Sequence, residues 1–124
     1  MIDFDNGTLV KLRPVALNEF ESMIAPFFVP SETILGSFKG LRDGVVFTSK
    51  RIICINIQGI TGKKKDFTSI PYSKIQTYSV ETAGLLDMDS ELQLYVSGVG
   101  RINLEFTSGT NVNELCRIVS SFAL

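Results

Sequence analysis

FTSKRIICINIQGITGKKKDFTSIPYSKI, residues 47–75, is the stretch whose reading decides the fold. Ile53, Ile55 and Ile57 occupy alternate positions, and Ile52, Cys54 and Asn56 fill the positions between them. A period of two is that of a strand, whose successive side chains point to opposite faces. Ser49-Lys50 before this run and Gln58 to Gly62 after it are turn signals. Lys65 to Ile70 reads as a weaker strand, and Pro71 to Lys74 as the next turn. Connections this short leave no room for a helical crossover, so neighbouring strands must pair antiparallel.

The same period extends outward on both sides. Upstream, Ile34, Gly36 and Phe38 alternate with Leu35, Ser37 and Lys39, while Val45 and Phe47 oppose Val46 and Thr48. Downstream come Tyr78 and Val80, then Leu92, Leu94 and Val96, then Ile102, Leu104 and Phe106. Turn signals at Leu41 to Gly44, Gly84 to Asp89 and Ser97 to Gly100 complete about seven short strands. The last segment changes period. Asn111 can cap a helix with Glu114 three residues on, and Val112, Leu115, Cys116, Ile118, Val119 and Phe122 then share one arc. A small sheet cannot close its own core at both ends, and an amphipathic helix plugging one end is the economical solution. The expected class is mainly β (α+β). Seven antiparallel strands followed by a C-terminal amphipathic helix resemble, in order, a pleckstrin-homology-like barrel.

Residues 1–30 differ from the domain expected over 31–124. Pro14, Pro26 and Pro30 punctuate them, and Leu17, Phe20, Met23 and Ile24 recur at helical spacing. Pro26 should end that helix by the preceding residue. The segment reads as an arm or short helix that packs on something. A site for it is suggested by the central strand, which is apolar on both faces, whereas a half-exposed strand alternates cleanly. Val46, Ile52 and Cys54 are assigned to the second face, and either the arm or another subunit must cover it. These three are therefore the candidate oligomer interface.

Of the 124 residues, 12 are Lys or Arg and 13 are Asp or Glu, and there is no histidine. The missing histidine removes Ser-His-Asp and Cys-His nucleophiles, His-bearing zinc sites and the usual general base near neutral pH. A net charge of −1 argues against nucleic acid as a partner. Cys54 and Cys116 form no CxxC and read as small core residues. The longest apolar stretch, Met23 to Val29, is broken by Pro26 and too short to span a bilayer, and no signal peptide is visible. The cytoplasm is the expected compartment.

Four constellations bear on chemistry. Lys63, Lys64 and Lys65, with Lys50 and Arg51 assigned to a neighbouring turn, form the one basic cluster, a candidate site for phosphate head groups or an acidic protein surface. The plainer account is a solvated loop with lysine blunting a strand edge. A phosphoinositide site would need several cations across the first two strands, and FKGLRD (38–43) offers Lys39 and Arg42. QGITGKK (58–64) lacks the spacing and following helix of a phosphate loop, so Gly59 and Gly62 are expected at positive φ. DMDSEL (87–92) sets Asp87, Asp89 and Glu91 at alternate positions but lacks the remaining ligands of a calcium loop. Nothing in the spacing brings Asp43, Glu81 and Asp87 to a common acid–base site. No enzyme activity, catalytic residue, metal or cofactor is expected.

FTSKRIICINIQGITGKK (47–64), SIPYSKI (69–75), SVETAG (79–84) and DMDSEL (87–92), in this order and spacing, resemble the bacterial pleckstrin-homology-like domain family with its YvbH-like relatives. The resemblance runs from about Phe38 to Val96. It implies a pleckstrin-homology-like barrel with a C-terminal helix, and cyclic self-assembly into a ring, with five copies as the expected number. It brings no enzymatic activity and no agreed ligand. PFFVP (26–30) departs from the longer polar helical lead-in usual in the family, and Asn56 stands where the family usually has an acidic residue. The first expectation is thus a non-enzymatic binding or scaffold domain, with itself or another protein as partner. The alternative is peripheral binding of acidic lipid or a phosphate-bearing ligand through the basic loop, so membrane contact stays open.

Overall fold

A computed structural model describes residues 1–5, 9–83 and 89–124. The alternating segments form seven strands of six to eight residues: β2 (Ile34–Lys39), β3 (Asp43–Thr48), β4 (Arg51–Gln58), β5 (Lys64–Pro71), β6 (Ile75–Glu81), β7 (Ser90–Val96) and β8 (Gly100–Phe106). A two-residue strand, β1 (Arg13–Pro14), precedes them and pairs with β2. They form two antiparallel sheets, in the orders β1-β2-β3-β4-β5 and β6-β7-β8. The expected barrel is realised as these two sheets with a C-terminal helix, α2 (Val112–Ala123).

One seam between the sheets is stitched by the N-terminal segment. Leu12 N–H donates to Glu105 O at 3.0 Å, Glu105 N–H to Leu9 O at 2.9 Å, and Thr107 N–H to Leu12 O at 2.9 Å. The next two residues then pair with β2, so residues 9–14 pass from the edge of one sheet to the edge of the other. The opposite seam, between β5 and β6, carries no strand pairing among the described residues.

Val45, Phe47, Ile52 and Cys54 of the larger sheet meet Leu92, Leu94, Ile102, Leu104 and Phe106 of the smaller one in the main core. Leu115 and Val119 of α2 join them. The helix starts at Asn111, whose side chain accepts from Glu114 N–H at 3.2 Å and satisfies one otherwise orphaned donor. Within its apolar arc, Val112, Leu115 and Val119 are buried, while Phe122 stays half-exposed and stacks on Tyr72 at 5.1 Å.

The outer face of β3 and β4 lies under the arm. Its α-helix, α1, is one turn long (Glu21–Ile24), and a 3₁₀ turn (Ala25–Phe27) follows, with Pro26 placed where its missing N–H is not needed. Phe20 and Ile24 pack on Val46, Ile53 and Ile55. Gly44 makes room for this: a Cβ there would sit 2.6 Å from Cζ of Phe20.

Strand register corrects the assignment of Val46, Ile52 and Cys54 to one face. Val46 pairs with Ile53, and Val45 with Cys54, so Val46 faces the arm while Ile52 and Cys54 face the main core. The two-residue turn Ser49-Lys50 is the cause, because it places odd positions opposite even ones. All three residues are buried within their own chain and offer no surface to a second copy.

Arm packing is therefore part of the fold's stability. Phe20→Ala is expected to cost about 3–5 kcal/mol. Gly44→Ala, which pushes the Phe20 ring off its seat, is expected to cost about 1–3 kcal/mol. Urea unfolding monitored by circular dichroism checks both, and neutrality of the pair would remove the arm from the cooperative unit.

Candidate functional site

Arg51 opens β4, and its guanidinium is committed inside the chain. Its Nε donates to Glu32 Oε2 at 2.9 Å and its Nη2 to Glu32 Oε1 at 2.8 Å. Nη2 also reaches Phe27 O at 2.7 Å, and Nη1 reaches Ser69 Oγ at 3.2 Å. The Glu32 carboxylate is buried and further accepts from Thr48 Oγ1 at 2.7 Å and Val29 N–H at 3.1 Å. The hydrogen bond from Arg51 holds the Glu32 carboxyl down at about 2, against the opposing effect of burial, and Glu32 in turn raises Arg51. This pair fastens the segment after the arm to the β3–β4 hairpin, so Arg51 is a structural cation.

The five expected cations do not converge. Arg51 pairs with Pro71 at one end of β4, whereas Gln58 pairs with Lys64 at the other. An eight-residue strand rising about 3.3 Å per residue separates the two groups, so Lys50 and Arg51 share no site with Lys63, Lys64 and Lys65.

Lys63, Lys64 and Lys65 have a different neighbour, the β2–β3 turn. Arg42 Nη2 donates to Gly59 O at 2.6 Å, Ile57 N–H donates to Arg42 O at 3.1 Å, and Asn56 Nδ2 donates to Asp43 Oδ1 at 2.6 Å. Gly59 and Gly62 adopt φ of 77° and 67°, so the loop is a glycine-made strand connection, as the spacing implies. Two large apolar side chains, Leu41 and Ile60, stand at the tips of these adjoining turns at 96% and 105% of full exposure. Sequence reading passed over them because each lies inside a turn signal. The cue that was available is an aliphatic residue where turns ordinarily carry polar ones.

The carboxylates are dispersed differently from the expected set. Asp43 lies on the larger sheet and Glu81 on the smaller, and Asp87 lies outside the described residues. Glu81, Glu91 and Glu105 occupy one row across β6, β7 and β8. Glu91 and Glu105 also line a hollow of about 230 Å³ with Asp5 and Asn103. Burial is the first cause that raises the Glu105 carboxyl, helped by its contact with Asp89, which Lys11 meets at 3.4 Å. Among the described residues no group of three or more acidic or cysteine side chains is placed to hold a metal ion. A larger groove, about 400 Å³, runs along the open seam between Ile70, Pro71, Lys74, Val96 and Val99. Cys54 faces the core, where burial pushes its thiol up to about 12 and keeps it protonated.

Glu32 makes stability depend on pH with a definite sign. Its folded-state proton affinity lies below the ordinary value of 4.5, so its contribution is complete above that value and is lost as pH falls toward about 2. Glu32→Gln should cost about 3–5 kcal/mol at neutral pH. The gap between wild type and variant should narrow progressively in urea titrations taken from neutral pH down to pH ~2.5, and a pH-independent gap would contradict it.

The bacterial PH domain model matches residues 3–123. The uncharacterized protein YjqA of Bacillus subtilis (strain 168) is 34% identical over 123 residues, covering 98% of both chains. A crystal structure of a DUF1696 family protein with a pleckstrin-homology domain, from Shewanella loihica PV-4, superposes with a TM-score of 0.81 at 37% identity, covering 93% of this chain and 99% of that one. A pleckstrin homology domain from Shewanella amazonensis SB2B gives 0.67 at 40% identity, covering 89% and 90%.

Proposed function

This chain belongs to the bacterial PH domain family, and from that premise we propose that it is a non-catalytic binding or scaffold module that self-associates into a ring. The observation that carries the reading is the open seam. β5 and β6 each end a sheet, and neither has a strand on its outer side among the described residues. An edge of unpaired backbone groups is a template for another chain, and proteins normally cover or charge such edges. The other seam is stitched by residues 9–14, whereas at this one Met1 and Ile2 meet Asp66 and Thr68 of β5 through side-chain contacts without strand pairing.

An edge of one copy meeting a different edge of the next is a heterologous contact. Such contacts close into a ring when the rotation between copies permits. Five copies is the number that the family resemblance offers for test. The interface moves from the buried Val46, Ile52 and Cys54 to the backbone of β5 and β6. Another protein presenting an extended segment could use the same edge. Nucleic acid is no part of the proposal, given a net charge of −1. The proposed compartment is the cytoplasm, in keeping with two cysteines that stay free.

Light scattering at micromolar concentration should give a single species of several chain masses. Gln76→Lys with Ser79→Lys, two exposed positions on β6, should yield a folded monomer, because charge on an edge opposes pairing. A wild-type chain that stays monomeric at tens of micromolar would sink the ring.

A further inference from the structure

We propose that the outer face of the smaller sheet binds a neutral oligosaccharide, with Tyr95 as the stacking platform and Gln93, Asn103 and Arg101 as hydrogen-bond partners of its hydroxyls. Ring assembly through the seam is not required for this, and its failure would leave the proposal standing.

Register comes first. Pairing across β6, β7 and β8 sets the outward side chains in three rows: Thr77, Tyr95 and Arg101, then Ser79, Gln93 and Asn103, then Glu81, Glu91 and Glu105. The larger sheet carries the arm over its outer face, whereas here Tyr95 is 48% exposed and Arg101 and Asn103 project into solvent. The first two rows line a hollow of about 310 Å³, bounded by Thr77, Ser79, Gln93, Tyr95 and Arg101. The acidic hollow of about 230 Å³ takes over at Asn103, the cross-strand neighbour of Gln93, and Phe4 and Val10 border it.

Chemistry comes second. The rows grade from the all-donor guanidinium of Arg101, through amides that donate and accept, to carboxylates that accept. A sugar hydroxyl both donates and accepts, so a chain of hydroxyls is matched along the whole gradient. Gln93 Nε2 donates to Glu91 Oε1 at 3.0 Å, which orients the amide and leaves its carbonyl open to a ligand. Arg101 forms no ion pair among the described residues, and Tyr95 is its cross-strand neighbour. An aromatic ring there offers an apolar surface to the C–H face of a pyranose while the polar groups beside it bond the hydroxyls.

Size and charge exclude the competing occupants. Three strands about 4.8 Å apart, each of seven residues rising about 3.3 Å, make a face of about 10 Å by 20 Å. That is well short of the roughly 800 Å² that each partner buries in a stable protein interface. A phosphate-bearing ligand would meet one arginine with three carboxylates alongside, a poor balance for an anion. A few neutral sugar units meet neither penalty, and the two hollows together fall in the range of small-ligand sites, about 300–1,000 Å³.

The test is isothermal titration of the full chain with cellohexaose, N-acetylchitohexaose and maltohexaose, at low and high salt. At least one should bind, with an affinity that salt leaves unchanged because the ligand carries no charge. Tyr95→Ala should weaken that binding at least ~10-fold with an unchanged circular dichroism spectrum, while Tyr95→Phe keeps most of it. Gln93→Ala with Asn103→Ala should weaken it by a similar factor. The chain has no tryptophan, so Tyr95→Trp supplies a probe whose emission should shift as sugar stacks on it. Failure of all three sugars to bind at millimolar concentration overturns the proposal. So does binding that Tyr95→Ala leaves intact. Salt-suppressed binding of oligothymidylate in place of sugar would assign the face to nucleic acid, and a changed oligomeric state of Tyr95→Ala would assign it to a contact between copies; either outcome also overturns it.

Discussion

Strand β4 is apolar on both faces, and the rest of the chain is arranged to keep both dry. Ile52 and Cys54 look into the main core, Ile53 and Ile55 into the layer beneath the arm. A two-sheet sandwich covers one face of each sheet, so a strand of this kind requires a third layer. Phe20 and Ile24 supply it, over the gap left by Gly44. What returns the chain from that layer is polar. The buried Glu32 carboxylate accepts four hydrogen bonds, two of them from Arg51 at the head of β4. A buried ion pair must offset heavy desolvation, and here full satisfaction of the carboxylate provides the compensation. The arm is thereby tied to the strand it covers.

Much of the architecture was legible because it depends on local patterns. Alternation located the seven long strands, Asn111 with the apolar arc located α2, and the glycines of QGITGKK indicated positive φ. What escaped depends on partners distant in sequence. Arg13–Pro14 carries no strand period, and its pairing with β2 comes from the need to cover an edge. Sorting side chains between the two apolar faces of β3 and β4 required the register across the Ser49-Lys50 turn, and reading each strand separately set Val46 on the wrong side.

The basic cluster failed for a related reason. Lys50 and Arg51 are near Lys63 in sequence, but a strand lies between them, and strands separate their ends more than any other element of equal length. Arg51 looked like a ligand-binding cation because nothing about an arginine in a turn announces a carboxylate 19 residues away. The reverse error concerned Leu41 and Ile60. As single aliphatic residues in separate turns they carry no pattern, and their meaning arises when hairpin geometry sets the turns together. The charges of this nearly neutral chain are sorted as well: cations gather at that tip, and Glu81, Glu91 and Glu105 form a row on the smaller sheet.

The open seam and the hairpin tip bear on each other through symmetry. β5 begins at Lys64, so its unpaired edge starts where the tip ends. Edge pairing consumes backbone groups along the strand, whereas Leu41, Arg42 and Ile60 belong to the turns and remain free. In a closed ring of heterologous contacts every copy is related by one rotation axis, so equivalent hairpin tips would lie in one plane perpendicular to that axis.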